Sequence, residues 1–185
     1  MNNKLDEPTK NLAQSVTRRT ALKKFGLGFA VGCAMLCLTA PVRAGEQVPF
    51  NGNFNPIILL ATPVDDSHVH LDLHVIVRAT HMGNAQGAAS ITLNVTDLTY
   101  VGHTVWVAPN GDSISLTFEG QFVLTATRGV LQNVETFEVV GGTGRFKGAT
   151  GAGIASGLLD AATLVPLNGT VPFVGTISSP GSLKK

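Results

Sequence analysis

The stretch Val139-Val140-Gly141-Gly142-Thr143-Gly144-Arg145-Phe146-Lys147-Gly148-Ala149-Thr150-Gly151 decides the interpretation of this chain, because an apolar run leads into five closely spaced glycines. Two structures are compatible with it, a nucleotide-binding loop and a structural corner between strands. The spacing Gly142-x-Gly144-x-x-x-Gly148 is similar to a dinucleotide fingerprint, and Asp160 follows at the distance of a ribose contact.

The residues after this stretch favour the corner. A phosphate-binding loop must open a helix whose N–H groups point at the anion. Residues 151–157 contain three glycines, which is too many to sustain such a helix. The flanking segments alternate like strands, and the chain shows no strand-helix-strand pattern. We therefore predict a structural corner with about one helical turn.

The corner resembles the motif Gly-Gly-Thr-Gly-x-Phe-x-x-Ala-x-Gly of the allene oxide cyclase and dirigent-like β-barrel families. The motif residues are Gly141, Gly142, Thr143, Gly144, Phe146, Ala149 and Gly151, and Arg145 and Gly148 stand at its variable positions. Thr80-His81-Met82-Gly83 is similar to a turn of bacterial members. The resemblance implies a barrel in which Phe146 plugs one end and Arg145 bonds to groups of the corner. It also implies isomerisation of an unsaturated epoxide, or guidance of radical coupling. The catalytic residues of neither family match this chain.

The rest of the chain predicts strands. Residues 68–80 alternate most clearly, with apolar residues from Val69 to Val77 on one face. Residues 45–56 are rich in Asn, Pro and Gly and predict a mobile lead-in. The other predicted strands are residues 57–61, 88–96, 100–107, 113–119, 122–127, 131–140, 153–159 and 171–177, with a hairpin turn at Asn110-Gly111. We predict an all-β, single antiparallel barrel of about eight strands over residues 45–185, of the allene oxide cyclase-like type.

Residues 1–44 predict an export signal peptide. Residues 17–24 are charged, residues 25–40 are apolar, and Val42-Arg43-Ala44 is a cleavage site. The pair Arg18-Arg19 favours the twin-arginine route over the general secretory one, and therefore export machinery as a partner. An apolar run of this length is short for a transmembrane helix. Lipidation at Cys33 is the alternative to cleavage after Ala44. We expect a periplasmic or extracellular protein.

Charge excludes one class of partner. After residue 44 the chain keeps six Lys and Arg against ten Asp and Glu, a net charge of −4. Nucleic-acid binding requires a basic surface and usually stacking aromatics. We therefore predict no nucleic-acid partner. No motif for a cofactor is found, and none is predicted.

Histidines and glutamates supply the candidates for chemistry. His68, His70, Asp72 and His74 share one strand face and are weak candidates for a metal site, because only an adjacent pair can reach one ion. We favour a solvated outer face for them. His81 lies in a glycine-containing turn and His103 lies near Trp106, so either is a candidate for the edge of a pocket. A single histidine of this kind is more often structural than catalytic. Glu119, Glu135 and Glu138 are candidates for a carboxylate near a pocket, although such strand positions more often face solvent.

Three functions remain open. The first is binding of a small hydrophobic ligand in the barrel lumen, for which the aromatic content of 6% leaves room. The second is a cyclase or isomerase that confines an unsaturated substrate. The third is a structural or interaction protein of the envelope, with a packed and empty barrel.

Overall fold

A computed structural model describes residues 46–178 and Pro180. Its strands form one closed antiparallel barrel in which each strand pairs with the next and β8 returns to β1. The strands are β1 Gln47–Pro63, β2 His68–Ala79, β3 Gly83–Asn94, β4 Thr99–Val107, β5 Ser113–Leu124, β6 Val130–Gly142, β7 Gly151–Asp160 and β8 Val171–Ser178. The predicted all-β barrel of about eight strands is confirmed.

The core fills the inside of the barrel. On β2, Leu71, Leu73, Val75 and Val77 are buried, while the residues between them lie on the outer face. Alternating residues of a strand point to opposite faces of the sheet, so one face of every strand contributes to the core. All nine aromatic side chains of the described residues belong to this core or pack against it.

The prediction of a mobile lead-in over residues 45–56 was wrong, because residues 47–56 form the first part of β1. Pro49, Pro56 and Pro63 are tolerated in the strand since each lies where β1 has one neighbour. Strand β8 pairs with β1 up to Phe54, and β2 pairs with it from Gly52 onwards. The sequence shows the prolines but not the pairing that makes them harmless.

The prediction of separate strands at residues 113–119 and 122–127 was also wrong. One continuous strand, β5, spans both. The glycine between the two predicted segments, Gly120, does not end the strand. It lies instead within β5, paired with Tyr100 of β4 on one side and Glu135 of β6 on the other.

The glycine-rich corner joins β6 to β7 and closes one end of the barrel. Residues Gly144–Phe146 form a single 3₁₀ turn, and the Phe146 side chain is fully buried. Gly144 has φ +58°, and a Cβ there would collide with the Asp112 carboxylate. Arg145 lies 3.3 Å from that carboxylate and stacks on the Phe146 ring at 5.1 Å. The turn connects antiparallel strands and opens no helix, so it lacks the geometry of a dinucleotide site.

No helix among residues 46–178 is long and apolar enough to cross a membrane. The predicted signal peptide, residues 1–44, lies outside the described residues and stays a prediction.

Candidate functional site in the barrel lumen

An aromatic layer lies in the half of the lumen next to the closed end. Phe50, Trp106, Phe137 and Phe173 approach one another with ring centroids 5.2 to 6.3 Å apart, and Phe54 joins them from β1. Tilted and edge-to-face contacts of this kind stabilise the core beyond the burial of their area. This layer gives the lumen a rigid apolar floor.

Two adjoining cavities lie in the lumen. We call the one lined by the aromatic layer the lower cavity and the other the upper cavity. The lower cavity has a volume of about 50 Å³ and is lined by Trp106, Ala89 and Thr104 among others. The upper cavity has about 60 Å³ and is lined by Tyr100, Phe122 and Leu164 among others. Each exceeds the 10–15 Å³, roughly, that one water molecule needs. Both cavities share five residues, which are Phe54, Pro56, Leu73, Ile91 and Glu135.

A polar cluster of Tyr100, Asn133 and Glu135 stands in this apolar lumen. The Tyr100 hydroxyl lies 2.8 Å from Oε2 of Glu135 and 2.5 Å from Oδ1 of Asn133. Tyr100 is on β4 and the other two are on β6, with β5 between them. Gly120 of β5 makes the contact feasible, because a Cβ at that position would collide with the Tyr100 hydroxyl. The missing side chain lets tyrosine reach across a whole strand.

Burial makes Glu135 a carboxyl group that titrates near neutrality. Its removal from water raises its pKa to about 7, although the hydrogen bond from Tyr100 acts in the opposite direction. Burial, with the nearby Glu135 charge, also raises the pKa of Tyr100, which therefore stays protonated. The Glu135 carboxyl lines both cavities. A molecule bound in either cavity would lie beside a carboxyl group that can donate or accept a proton near neutral pH.

The hydrogen bonds of the cluster depend on the protonation state of Glu135. Tyr100 has one hydroxyl proton, and two acceptor oxygens lie within its reach. When Glu135 is protonated it can donate to Tyr100, and Tyr100 can then donate to Asn133. When Glu135 is ionised, the Tyr100 hydroxyl can donate to only one of the two acceptors at a time, and the Asn133 side chain is a second hydrogen-bond partner that lowers the pKa of Glu135. A ligand that donates a hydrogen bond to Glu135 would relieve the competition between the two acceptors.

Two further polar groups line the lower cavity. Thr104 donates from Oγ1 to the backbone oxygen of Ala88 at 2.9 Å, so its hydroxyl is already engaged. The Trp106 indole nitrogen is buried and has no hydrogen-bond partner among the described residues. A buried N–H without an acceptor costs free energy.

The histidine face of β2 lies outside the barrel. His68 pairs with Asp65 at 2.9 Å, and His70 lies 3.3 Å from Asp72. Within residues 46–178, no group of three or more His, Cys, Asp and Glu lies close enough to hold a metal ion. His74 lies on the same outer face. Of the four candidate ligands, His70 lies next to Asp72, whereas His68 pairs with Asp65, which is not one of the four.

The remaining single candidates also lie away from the lumen. His81 has φ +64°, and its Nε2 lies 3.1 Å from the backbone oxygen of Pro49. His103 is exposed on β4, opposite Ser90. Of the three glutamates, Glu119 and Glu138 are exposed on the outer face. The expectation of a solvent-facing position was wrong for Glu135, because it shares the inward face of β6 with Phe137 and Val139.

Comparisons with known proteins identify the fold. No family model matches the chain, and no curated protein matches it. Among solved structures, a pterocarpan synthase dirigent protein matches with a TM-score of 0.50 and 13% sequence identity, over 76% of this chain and 89% of that one. The chain has a dirigent-like β-barrel. At this identity the likeness concerns the fold alone.

Two signals in the sequence point to the polar cluster of this dirigent-like barrel. On β6 the alternation of Leu131, Asn133, Glu135, Phe137 and Val139 places Glu135 on the apolar face. Gly120, a glycine within a strand, marks the space that Tyr100 needs. Neither signal identifies Tyr100 as the partner of Glu135, because that pairing depends on the register of three strands.

Proposed function

We propose that the dirigent-like barrel binds a small, largely apolar molecule in its lumen. The observation that carries this proposal is the pair of adjoining cavities, whose walls are apolar and aromatic apart from the polar groups named above. Ligand sites are typically apolar concavities with a few placed polar groups. The cavities also argue against the alternative of a fully packed, empty barrel.

The polar cluster suggests the chemistry of the ligand. Glu135 with a pKa of about 7 can accept a hydrogen bond when ionised and donate one when protonated. A hydroxyl or carbonyl group on an otherwise apolar skeleton would satisfy it. Charged ligands are disfavoured, since the lumen offers no basic side chain among the lining residues to pair with an anion.

Ala89 offers a direct test, because it is buried and lines the lower cavity. We expect Ala89→Leu to fill part of this space and to weaken binding of small uncharged aromatic alcohols and ketones at least tenfold. The matched control is Ala88→Leu, an exposed position of the same strand. Binding is followed by the fluorescence of Trp106, the single tryptophan. Equal affinities in both variants and the parent protein, or no binding at all, would contradict the proposal.

A second candidate function is a cyclase or isomerase. The specific observation in its favour is Glu135, an ionisable group beside a tyrosine hydroxyl at 2.8 Å and inside an apolar cavity. Such a carboxyl can take a proton from one position of an unsaturated substrate and return it to another. Glu135→Gln would then abolish conversion of an unsaturated ligand while leaving its binding in place. Unchanged conversion in that variant would eliminate Glu135 as the acid or base.

Support from the solved structure is limited to the architecture. The matching protein is named a pterocarpan synthase dirigent protein. For the present chain, a role in guiding the coupling or cyclisation of a bound molecule is a proposal of the same kind as the isomerase. Export by the twin-arginine route and a location outside the cytoplasm remain proposals drawn from residues 1–44.

A further inference from the structure

The strand pairing of the closed barrel is shorter on the side of β8 than elsewhere. Strand β8 pairs with β1 only as far as Phe54, yet β1 continues to Pro63 with β2 as its single partner. Strand β7 likewise pairs with β8 only from Gly151 to Ala155. The loop of residues 161–170 occupies this region and forms a bridge to β7 through Leu159 and Pro166. Residues 55–63 of β1 are therefore not paired with a strand on the β8 side.

The loop is attached on one side only. Its backbone bonds run to β7, to the turn before β6 and within the loop itself, as in the bonds from Leu167 to Leu158 and from Ala161 to Gly129, each 2.9 Å. Asp160 holds the start of the loop by accepting bonds from the backbone N–H groups of Ala162 and Thr163. Among the described residues, no hydrogen bond joins the loop to residues 55–63 of β1. We call the boundary between residues 55–63 of β1 and this loop the seam.

Each side of this seam contributes an apolar side chain to the upper cavity. Ile58 shares the inward parity of Phe54 and Pro56 but is 37% exposed. Leu164 of the loop is partly buried against the core and has φ +57°, a left-handed conformation that is rare for leucine. Both residues line the upper cavity. The loop therefore holds Leu164 in a strained backbone conformation, and this conformation places the side chain at the lumen.

The residues on both sides of the seam are largely apolar and uncharged. Ile57, Leu59 and Leu60 are exposed on its β1 side, and Val165 and Leu167 are exposed on its loop side. Neither residues 55–63 nor residues 161–170 contain a charged side chain. Contiguous exposed apolar patches commonly mark interaction sites. The opposite end of the barrel is closed by Phe146 and Met82, both almost fully buried.

We propose that the seam between residues 55–63 of β1 and the loop of residues 161–170 is the entrance to the lumen, and that Leu164 closes it. This inference rests on the proposed function, because an entrance has a role only if the lumen takes up a ligand. The loop opens as a flap about its attachment to β7. A small uncharged apolar molecule passes over the exposed residues of the seam and reaches the upper cavity first.

The experiment measures uptake rates of acetophenone, a small uncharged aromatic ketone used as the probe, by the quenching of Trp106 fluorescence. Leu164→Ala removes the closing side chain, and Asp160→Ala loosens the attachment of the loop without changing a residue that lines either cavity. In both variants we expect association and dissociation rates to rise at least fivefold, with a smaller change in affinity. Leu167→Ala is the control, since Leu167 is exposed on the same loop.

The outcomes separate the two proposals. Thermal melts first establish that each variant is folded. If the parent protein binds the probe and neither Leu164→Ala nor Asp160→Ala changes the rates, the entrance is elsewhere and ligand binding stands. If Leu167→Ala accelerates uptake as much as Leu164→Ala, the closing role of Leu164 is also wrong. If the parent protein takes up no probe, the proposed function fails and the entrance fails with it.

Discussion

Replacing Glu135 by Gln should make the barrel more stable at alkaline pH, because it removes a buried group that ionises at a cost. The pKa of Glu135 is raised from 4.5 to about 7 by burial. The folded state therefore holds the proton more tightly than the unfolded state. Stability is complete below pH 4.5, falls as the pH rises, and reaches its lower level above about pH 7.

The size of the effect follows from the two pKa values. Each pKa unit corresponds to about 1.4 kcal/mol, so the ionised carboxylate costs the fold about 3 kcal/mol above pH 7. Glutamine keeps the shape of the side chain and stays neutral. Its amide can donate to Tyr100 as the protonated carboxyl does. We expect Glu135→Gln to gain about 3 kcal/mol over the parent protein at pH 8 and little at pH 4.5, on the order of 10 °C in melting temperature at the higher pH.

Urea unfolding at several pH values between 4.5 and 8, followed by Trp106 fluorescence, measures this difference. Glu119→Gln is the matched control, because Glu119 is an exposed carboxylate on the neighbouring strand β5. It should leave the pH dependence of the parent protein unchanged. Parallel stability curves for Glu135→Gln and the parent protein would refute the assignment of Glu135 as a buried titrating group.

Three further changes test other parts of the molecule. Gly120→Ala should cost about 1–3 kcal/mol in urea unfolding because its Cβ displaces Tyr100, whereas Gly157→Ala meets only ordinary contacts at 3.4 Å or more and should cost less; equal losses would contradict the steric role of Gly120. Phe146→Ala should lose about 3–5 kcal/mol, since the side chain is fully buried at the closed end, and a loss below 1 kcal/mol, roughly, would show that the end is not sealed there. Replacing Arg18 and Arg19 together by Lys should trap precursor in the cytoplasm, as cell fractionation would detect; normal export would exclude the twin-arginine route.

The sequence by itself determines the architecture of this protein. The alternation of residues 68–79 identifies a strand with one apolar face, and the short strands with turns between them identify an antiparallel barrel. The glycine-rich stretch after Val140 excludes a helix and predicts a corner. These features are local, because side-chain parity and the backbone freedom of glycine are properties of a few consecutive residues.

The candidate site is decided by the tertiary structure. Tyr100, Gly120 and Glu135 are separated along the chain and become neighbours only through the register of β4, β5 and β6. A shift of one residue would turn Glu135 to the outer face, and its pKa would no longer be raised by burial. Composition does not show where the aromatic side chains lie, and only the fold places all nine of the described ones in or against the core beside the two cavities.

The extent of pairing is likewise a tertiary property. β1 contains three prolines, and its sequence predicts only a short strand at residues 57–61. It is nevertheless 17 residues long, because β8 and β2 pair with different halves of it. The same offset leaves residues 55–63 without a neighbour on the β8 side and brings Leu164 to the upper cavity. Hydrogen bonds between distant strands set these lengths, and no pattern within one strand records where its partner ends.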